Sequence, residues 1–466
     1  MTDNKDVINE AEEANAENDT ERASAEHSHH GSESRHSGHG SHSRHSSHRR
    51  RSSKRKKKDT PYNRVILDRK TIYKICGIVA IAVLILAVVL VINHFENHGD
   101  TVDYVGGQEV KFNGEFVIVQ RPHTENIDLV SGVVKDFFVS GHEADLKEII
   151  KQNSDVEAPY DVSVPVVLTP EIYNLPEDMA LYGYLVEISM YEDFSTSDTY
   201  IFKYGEEIEI YNLRTACKYY YRVSLVSTPD VKDTYFKYVG SFTTSDTPRI
   251  LSIDGVNNVR DIGGWRTSDG KRIRQGLLYR GTELDGIVQA DYRITDKGIY
   301  TMTNILDIKY DMDLRGEHEN PTGVEVWGSD ISHKYYGVNM YKGIFTDEAK
   351  VKIKNVFSDL ANPDNYPVYL HCTYGMDRTG TICYLLEALL GVSDDDLLME
   401  YRLSSLHYTG MLTNDFETTR VAMSAYEGES TQEKVENYLL ECGVTPEEIA
   451  SIREIFLVDE EFYNAE

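Results

Sequence analysis

The alternation of apolar and polar positions divides this chain into unlike stretches. Residues 1–70 hold few large apolar side chains among many Ser, His, Arg and Lys, so they cannot offset the entropy of ordering and read as a disordered tail. Next comes "ICGIVAIAVLILAVVLVI", Ile75–Ile92, 18 residues without a charge and without the polar positions that a buried helix shows at helical spacing. It predicts one membrane-spanning helix over 71–93. Residues 94–161 are mixed and read as a linker, with a helical signal in the second half of "DLVSGVVKDFFVSGHEADLKEIIKQN". Over 162–247 the period falls to two: "LYGYLVEISMY", "DTYIFKY", "IEIYNL", "KYYYRVSLV" and "YFKYVGSFTT" are short Val/Ile/Tyr-rich runs broken by turn residues. Such spacing predicts a β-sandwich, with alternate rings of Tyr219, Tyr220 and Tyr221 in its core. From 250 to 465 strand and helix signals alternate. "IKYDMDL" and "PVYLHC" read as strands, "TDEAKVKIKNVFSDL" and "RTGTICYLLEALLG" as helices, an α/β layer arrangement.

Charge orients this plan. Residues 1–70 carry 15 Lys/Arg against 12 Asp/Glu, a balance of +3, so with −29 for the whole chain the remainder carries −32. An acidic body argues against nucleic acid as a partner, and its simplest role is solubility. Twelve Lys/Arg lie between Arg49 and Lys74, and none follows the apolar run until Lys111. The positive-inside rule then predicts a cytoplasmic N-terminus and an extracellular remainder, in the cell membrane. Eight histidines between His27 and His48 read as a solvated, biased tail, with metal or pH sensing as the alternative. The five cysteines (Cys76, Cys217, Cys372, Cys383 and Cys442) form no CxxC pair, zinc spacing or disulfide framework.

The candidate chemistry lies in "HCTYGMDRTG", His371–Gly380, between a predicted strand and a predicted helix. Successive backbone N–H groups of Thr373, Tyr374, Gly375 and Met376, with the free donors of a helix N-terminus, make a cradle for a tetrahedral oxyanion. Gly375 stands where a side chain would obstruct the turn. Arg378 can close the cradle with a planar fork of donors. The same positive potential favours a thiolate at Cys372, the Thr379 hydroxyl can donate to it, and His371 can order the loop. Two other patterns carry no site. "DMDLRG" has Arg315 at a ligand position and Thr322 at position twelve, so it is no calcium loop, and "NVRDIGG" lacks dinucleotide-loop spacing.

These residues resemble the Cys-x5-Arg protein tyrosine phosphatase superfamily. "NVRDIGGW" (258–265), "LLYRGTEL" (277–284) and "DMDLRGEHE" (311–319) are similar to motifs of its bacterial tyrosine-phosphatase-like branch. The resemblance implies an α/β phosphatase domain over 250–465 that hydrolyses phosphomonoesters, chiefly protein phosphotyrosine, through a phosphocysteine, with no metal and no cofactor. It also implies that an Arg260-containing loop packs near the phosphate loop and that Asp377 is the general acid. Asp313 is the second choice, as a structural or water-positioning partner of Arg315, and Asp330 and Asp347 are further acid candidates. Met376 stands where the branch usually reads HCxxGKDRTG, which removes a cation that inositol phosphates would use. Residues after about Leu403 fit the branch less clearly and read as a helical insertion or lid. Phosphoinositide hydrolysis is the rival activity, and a surface adhesion or phosphate-binding module the rival class. "IEIYNLRTACKYYYRVSLVS" with "GSFTT" is similar to the late strands of a fibronectin type III domain, which implies a protein or carbohydrate ligand.

Overall fold

A computed structural model describes residues 110–463 apart from 113–115, 121, 142–144, 174–180, 229–233, 235–237, 320–325, 328–330 and 410–414. The chain divides into two units, Met1–Ile81 and Ala82–Glu466, and the described residues all belong to the second. The expected tail and spanning helix lie outside the described residues. Among the described residues no helix is long and apolar enough to cross a membrane.

After the hairpin β1 (Val110–Phe112) and β2 (Phe116–Val119) come two short helices, α1 (Gly132–Ser140) and α2 (Leu146–Gln152). Then follow β3 (Val166–Leu168), β4 (Glu171–Tyr173), β5 (Gly183–Ser189), β6 (Asp198–Lys203), β7 (Ile208–Ile210), β8 (Lys218–Val226) and β9 (Tyr238–Thr243). The sheet β6-β5-β8-β9 is antiparallel, as is the pair β3-β7. Their facing residues obey the period of two. Val186, Ile188, Tyr219, Tyr221 and Val223 meet Val166, Leu168, Ile208 and Ile210 in one buried cluster. Tyr220 lies on the other face, with the Lys218 ammonium 4.6 Å from its ring centre.

The α/β layer begins at β10 (Arg260–Asp261), β11 (Lys271–Ile273) and β12 (Leu278–Gly281). It continues through α3 (Asp296–Tyr300), β13 (Tyr310–Asp313), β14 (Ser332–Tyr335), α4 (Asp347–Leu360), β15 (Val368–His371) and α5 (Asp377–Leu390). Helices α6 (Asp394–His407), α7 (Asp415–Met423), α8 (Thr431–Cys442) and α9 (Pro446–Phe456) precede the last strand, β16 (Leu457–Asp459). The five-stranded sheet runs β10-β12-β15-β13-β14, with β12, β15, β13 and β14 mutually parallel. Its central strand β15 is buried at every position, as expected for a strand covered on both faces. The register sets Gly281, His371 and Asp313 side by side at the C-terminal ends of three strands. That rim, where chains leave a parallel sheet for helices, is where α/β folds place ligands. Helix α5 stops at Gly391, whose φ of +93° suits a glycine C-cap.

Two findings change the sequence reading. The stretch expected as a linker supplies Val130, Val133, Val134, Phe137, Leu146, Ile149 and Tyr160 to a core shared with Met399, Leu403 and Leu406 of α6. The helices beyond Leu403 are likewise built into the main core, through residues such as Phe416, Val435, Tyr438, Leu439, Ile449 and Ile452. They form part of the layer rather than a private insertion.

Candidate active site

The loop from Cys372 to Arg378 leaves β15 and enters α5, and its shape follows from its partners. Gly375 has a φ of +64°, and a Cβ there would lie 2.4 Å from the Gly281 carbonyl oxygen, so only glycine seats the loop on β12. Three successive carbonyls are held from outside the loop. The Glu283 N–H donates to the Thr373 oxygen at 3.0 Å. Asn258 Nδ2 and the Tyr408 hydroxyl donate to the Tyr374 oxygen at 3.1 and 2.8 Å. Arg280 Nη2 donates to the Gly375 oxygen at 2.6 Å. A planar trans peptide sets its N–H opposite its C=O, so carbonyls tethered outward turn the following N–H groups, those of Tyr374, Gly375 and Met376, toward the concave side. At the start of a 14-residue helix, this arrangement can hold a tetrahedral anion.

Beneath it lies a buried ionic cluster. Glu400 of α6 accepts from Arg260 Nε at 2.8 Å and from Arg280 Nη1 at 2.9 and 2.8 Å. Arg260 also donates to Asn258 Oδ1 at 2.8 Å and to Ser404 Oγ at 3.1 Å. Arg260 thus reaches the loop through Asn258 rather than by touching it. Asp261 pairs not with Arg260 but with Arg249, at 2.9 Å. Burial raises the Glu400 carboxyl, yet the two guanidiniums outweigh it and hold Glu400 below its ordinary value. Burial, with the charge of Glu400, drives the neighbouring Glu387 well above its ordinary value, and both its oxygens are buried without a hydrogen-bond partner.

A second cluster supports the strand end. The His371 Nε2 lies 3.0 Å from Asp311 Oδ1 and 3.7 Å from Asp313 Oδ2, placed as an ion pair although poorly aligned for a hydrogen bond. Its Nδ1 is 3.3 Å from the Cys372 oxygen. Burial alone would lower the His371 pKa, but the charges of Asp313 and Asp311 prevail and push it up to about 9. Asp313 is bound by Arg315 at 2.7 Å, and the same guanidinium bonds Asp285 at 2.7 Å and Glu283 at 2.5 Å. Asp313 is thereby held in the ionised form, burial being outweighed by His371, His333 and Arg315, which makes it a structural anion and a poor proton donor.

The remaining candidates are placed as follows. Cys372 is buried at the head of α5's loop. Arg378 forms a two-toothed pair with Glu319, Nη1 and Nη2 donating at 2.7 and 2.9 Å. Burial would lower the Arg378 pKa, but the Glu319 bonds and the Cys372 sulfur raise it above its ordinary value. Asp377 accepts from the Tyr341 hydroxyl, which also meets the Tyr401 hydroxyl at 2.7 Å. The Thr379 hydroxyl is fully buried without a hydrogen-bond partner, so the expected bond to the thiol is not formed here. The Met376 side chain is buried in the core, leaving only its backbone for an anion. Tyr374 is half-buried, its hydroxyl held by Gln289 Nε2 at 2.7 Å and its ring edge-on to Tyr292 and Tyr408. Asp347 is the exposed first residue of α4, and Asp330 lies outside the described residues. Sequence reasoning missed Asn258, Arg280, Glu319, Tyr341, Glu400 and Tyr408. Asn258, Arg280 and Glu319 nevertheless lie in the motifs "NVRDIGGW", "LLYRGTEL" and "DMDLRGEHE", and Arg280 stands out as a lone charge inside an apolar run.

Residues 251–458 match the model of the tyrosine phosphatase family. That span holds the five-stranded sheet, both ionic clusters and the five helices α5 to α9. A Cupriavidus necator protein provisionally named a tyrosine-protein phosphatase is 25% identical over 181 residues, covering 32% of this chain. The match spans 61% of that curated relative's length. Among solved structures, the core catalytic domain of the PP-IP phosphatase SIW14 from S. cerevisiae, in complex with citrate, is 21% identical with a TM-score of 0.21. That likeness covers 32% of this chain and 87% of the other. A second structure, of the Siw14 catalytic core, is 19% identical with a TM-score of 0.22 and covers 32% and 86%.

Proposed function

We propose that this chain is a phosphatase of the Cys-x5-Arg type, acting on aryl phosphomonoesters and above all on protein phosphotyrosine. The observation that carries the reading is the loop itself: a cysteine, three outward-tethered carbonyls and an arginine wrapped on a helix N-terminus. Cys372 Sγ attacks phosphorus as the ester P–O bond breaks, giving a phosphocysteine. Asp377 protonates the leaving oxygen. Water then cleaves the S–P bond, releasing inorganic phosphate and restoring the thiolate. Arg378 and the loop amides bear the charge on the equatorial oxygens in both steps.

Three features favour a substrate of modest charge. Met376 offers no cation, because its side chain is in the core. Arg260, Arg280 and Arg315 are each bonded to carboxylates within the protein. The chain is acidic, with a net charge of −29. A panel of phosphotyrosine peptides, phosphoinositides and para-nitrophenyl phosphate tests this. Preference for the aryl esters is expected, and preference for the lipids would replace it with the rival activity.

The same proposal places the enzyme on a single-pass anchor at 71–93, with the N-terminus cytoplasmic and the catalytic layer extracellular, because Lys and Arg crowd one flank of the apolar run. The β-sandwich, read as fibronectin type III-like, would bind a protein or carbohydrate. Protease added to intact cells should remove residues 250–465 and spare the tail; protection of those residues would reverse the orientation.

A further inference from the structure

The segment ahead of the β-sandwich reaches the phosphate loop by a short route. Tyr160 donates its N–H to the Leu406 oxygen at 3.1 Å, in the last turn of α6. The next residue, Asp161, places Oδ1 2.7 Å from His407 Nδ1, with both side chains largely withdrawn from solvent. The His407 ring stands edge-on to the Tyr408 ring, with centres 4.6 Å apart. Tyr408 in turn donates its hydroxyl to the Tyr374 oxygen at 2.8 Å. That oxygen is one of the three carbonyls whose outward tether turns the loop amides toward the anion. The segment cannot drift freely, since Val134, Phe137, Leu146 and Tyr160 share a core with Leu403 and Leu406.

We infer that Asp161 is a positioning residue for the phosphate loop, acting through His407 and Tyr408 on the Tyr374 carbonyl. The physical reason lies at the end of α6. Tyr408 is the first residue past the helix, where the chain begins to fray, so any swing of its ring is checked by side-chain neighbours, Tyr374 edge-on and the His407 ring. A pinned His407 ring limits that swing, so the hydroxyl stays aimed at the carbonyl. Loss of the pin leaves Asn258 as the remaining side-chain donor to that oxygen and lets the peptide rotate. The amide of Gly375 then spends less time facing the bound phosphoryl group.

This inference rests on the phosphatase reading, and the test separates the two. With the full chain, para-nitrophenyl phosphate turnover and inhibition by inorganic phosphate are measured in Asp161→Ala, Asp161→Asn, Tyr408→Phe and the Asp161→Ala/Tyr408→Phe pair. Asp161→Ala should lower kcat/KM and weaken phosphate inhibition, each by about tenfold. Asn can still accept the imidazole N–H, so Asp161→Asn should recover to within about threefold. Once the hydroxyl is gone the pin has nothing to aim, so the pair should be no worse than Tyr408→Phe alone. Phe137→Leu loosens the shared core but keeps the Asp161–His407 contact, so it should lower the melting temperature with little kinetic change. Unchanged kinetics in Asp161→Ala, additive losses in the pair, or an equal loss in Phe137→Leu would each overturn the inference while leaving the phosphatase intact. Absence of turnover in the wild-type chain would remove the phosphatase reading itself.

Discussion

Glu400→Gln is the substitution that most directly probes the foundation of the phosphate loop. In the wild type one carboxylate takes three hydrogen bonds from two guanidiniums in a site with almost no solvent. Removing its charge leaves Arg260 and Arg280 facing each other uncompensated, and breaking a buried pair in this way costs about 3–5 kcal/mol. Glu387 works against the full loss. It is kept protonated by burial and by the charge of Glu400, so without that charge it can ionise and serve as the counter-ion. The lower end, about 3 kcal/mol, is therefore expected; against a total of roughly 5–15 kcal/mol it is a large share. At about 2–4 °C per kcal/mol, the melting temperature should fall by roughly 6–12 °C. Glu400→Gln/Glu387→Gln should lose more than the two single losses summed, since neither acid remains to respond. Arg280, no longer fixed, frees the Gly375 carbonyl, and kcat/KM should fall about 10- to 100-fold. The wild-type cluster also has a definite pH dependence. Glu400 lies below its ordinary 4.5, so its contribution is present above that pH and lost as pH falls through the lowered value. Thermal melts and para-nitrophenyl phosphate kinetics on the purified chain are sufficient assays. A Glu400→Gln protein melting within about 2 °C of wild type, with kcat/KM within about twofold, would refute the reasoning.

Three further outcomes follow from the site. His371 is raised from 6.5 to about 9, so it contributes about 3 kcal/mol that is fully present below pH 6.5 and lost as pH rises toward 9. Urea midpoints should fall over that window, and less steeply in Asp311→Asn; a flat wild-type profile would contradict the assignment. Gly375→Ala forces a Cβ to 2.4 Å from the Gly281 oxygen at a φ of +64°, and should cost about 100-fold in kcat/KM while the melt stays cooperative. Activity within about threefold of wild type would show that the loop can shift. Asp377→Asn should slow phenyl phosphate far more than activated aryl phosphates and remove the alkaline limb of the pH–rate profile. Equal slowing of every leaving group would make Asp377 a structural partner of Tyr341, the residue whose hydroxyl it accepts.

Much of the architecture was legible because local rules applied. The period of two in "GYLVEIS" and "KYYYRVSLV" reappears as buried alternate positions, and the apolar "VYL" before a cysteine as the central strand. "HCTYGMDRTG" announced a strand, a loop and a helix because its glycine and arginine suit one geometry. Contacts between residues far apart in sequence were not legible. Glu400 meets Arg280 and Arg260 across 120 and 140 positions, and nothing in "MEYRLSS" marks that glutamate as a counter-ion. Tyr341, a non-glycine residue at a φ of +50°, reaches Asp377 from a short 3-10 turn that carries no periodic signal. Met376 was read as loop because its neighbours are loop, yet its side chain joins the core. Helix α1 was hidden by its length of nine residues and revealed its role through what it packs against.

The most direct test of the account is whether phosphate passes through sulfur. Acid quench during turnover of a radiolabelled aryl phosphate should trap label on the peptide containing Cys372. Cys372→Ser should abolish both label and turnover, yet still bind inorganic phosphate, because the amide cradle and Arg378 are unchanged. Turnover that survives Cys372→Ser, or label found on any other residue, would contradict the account.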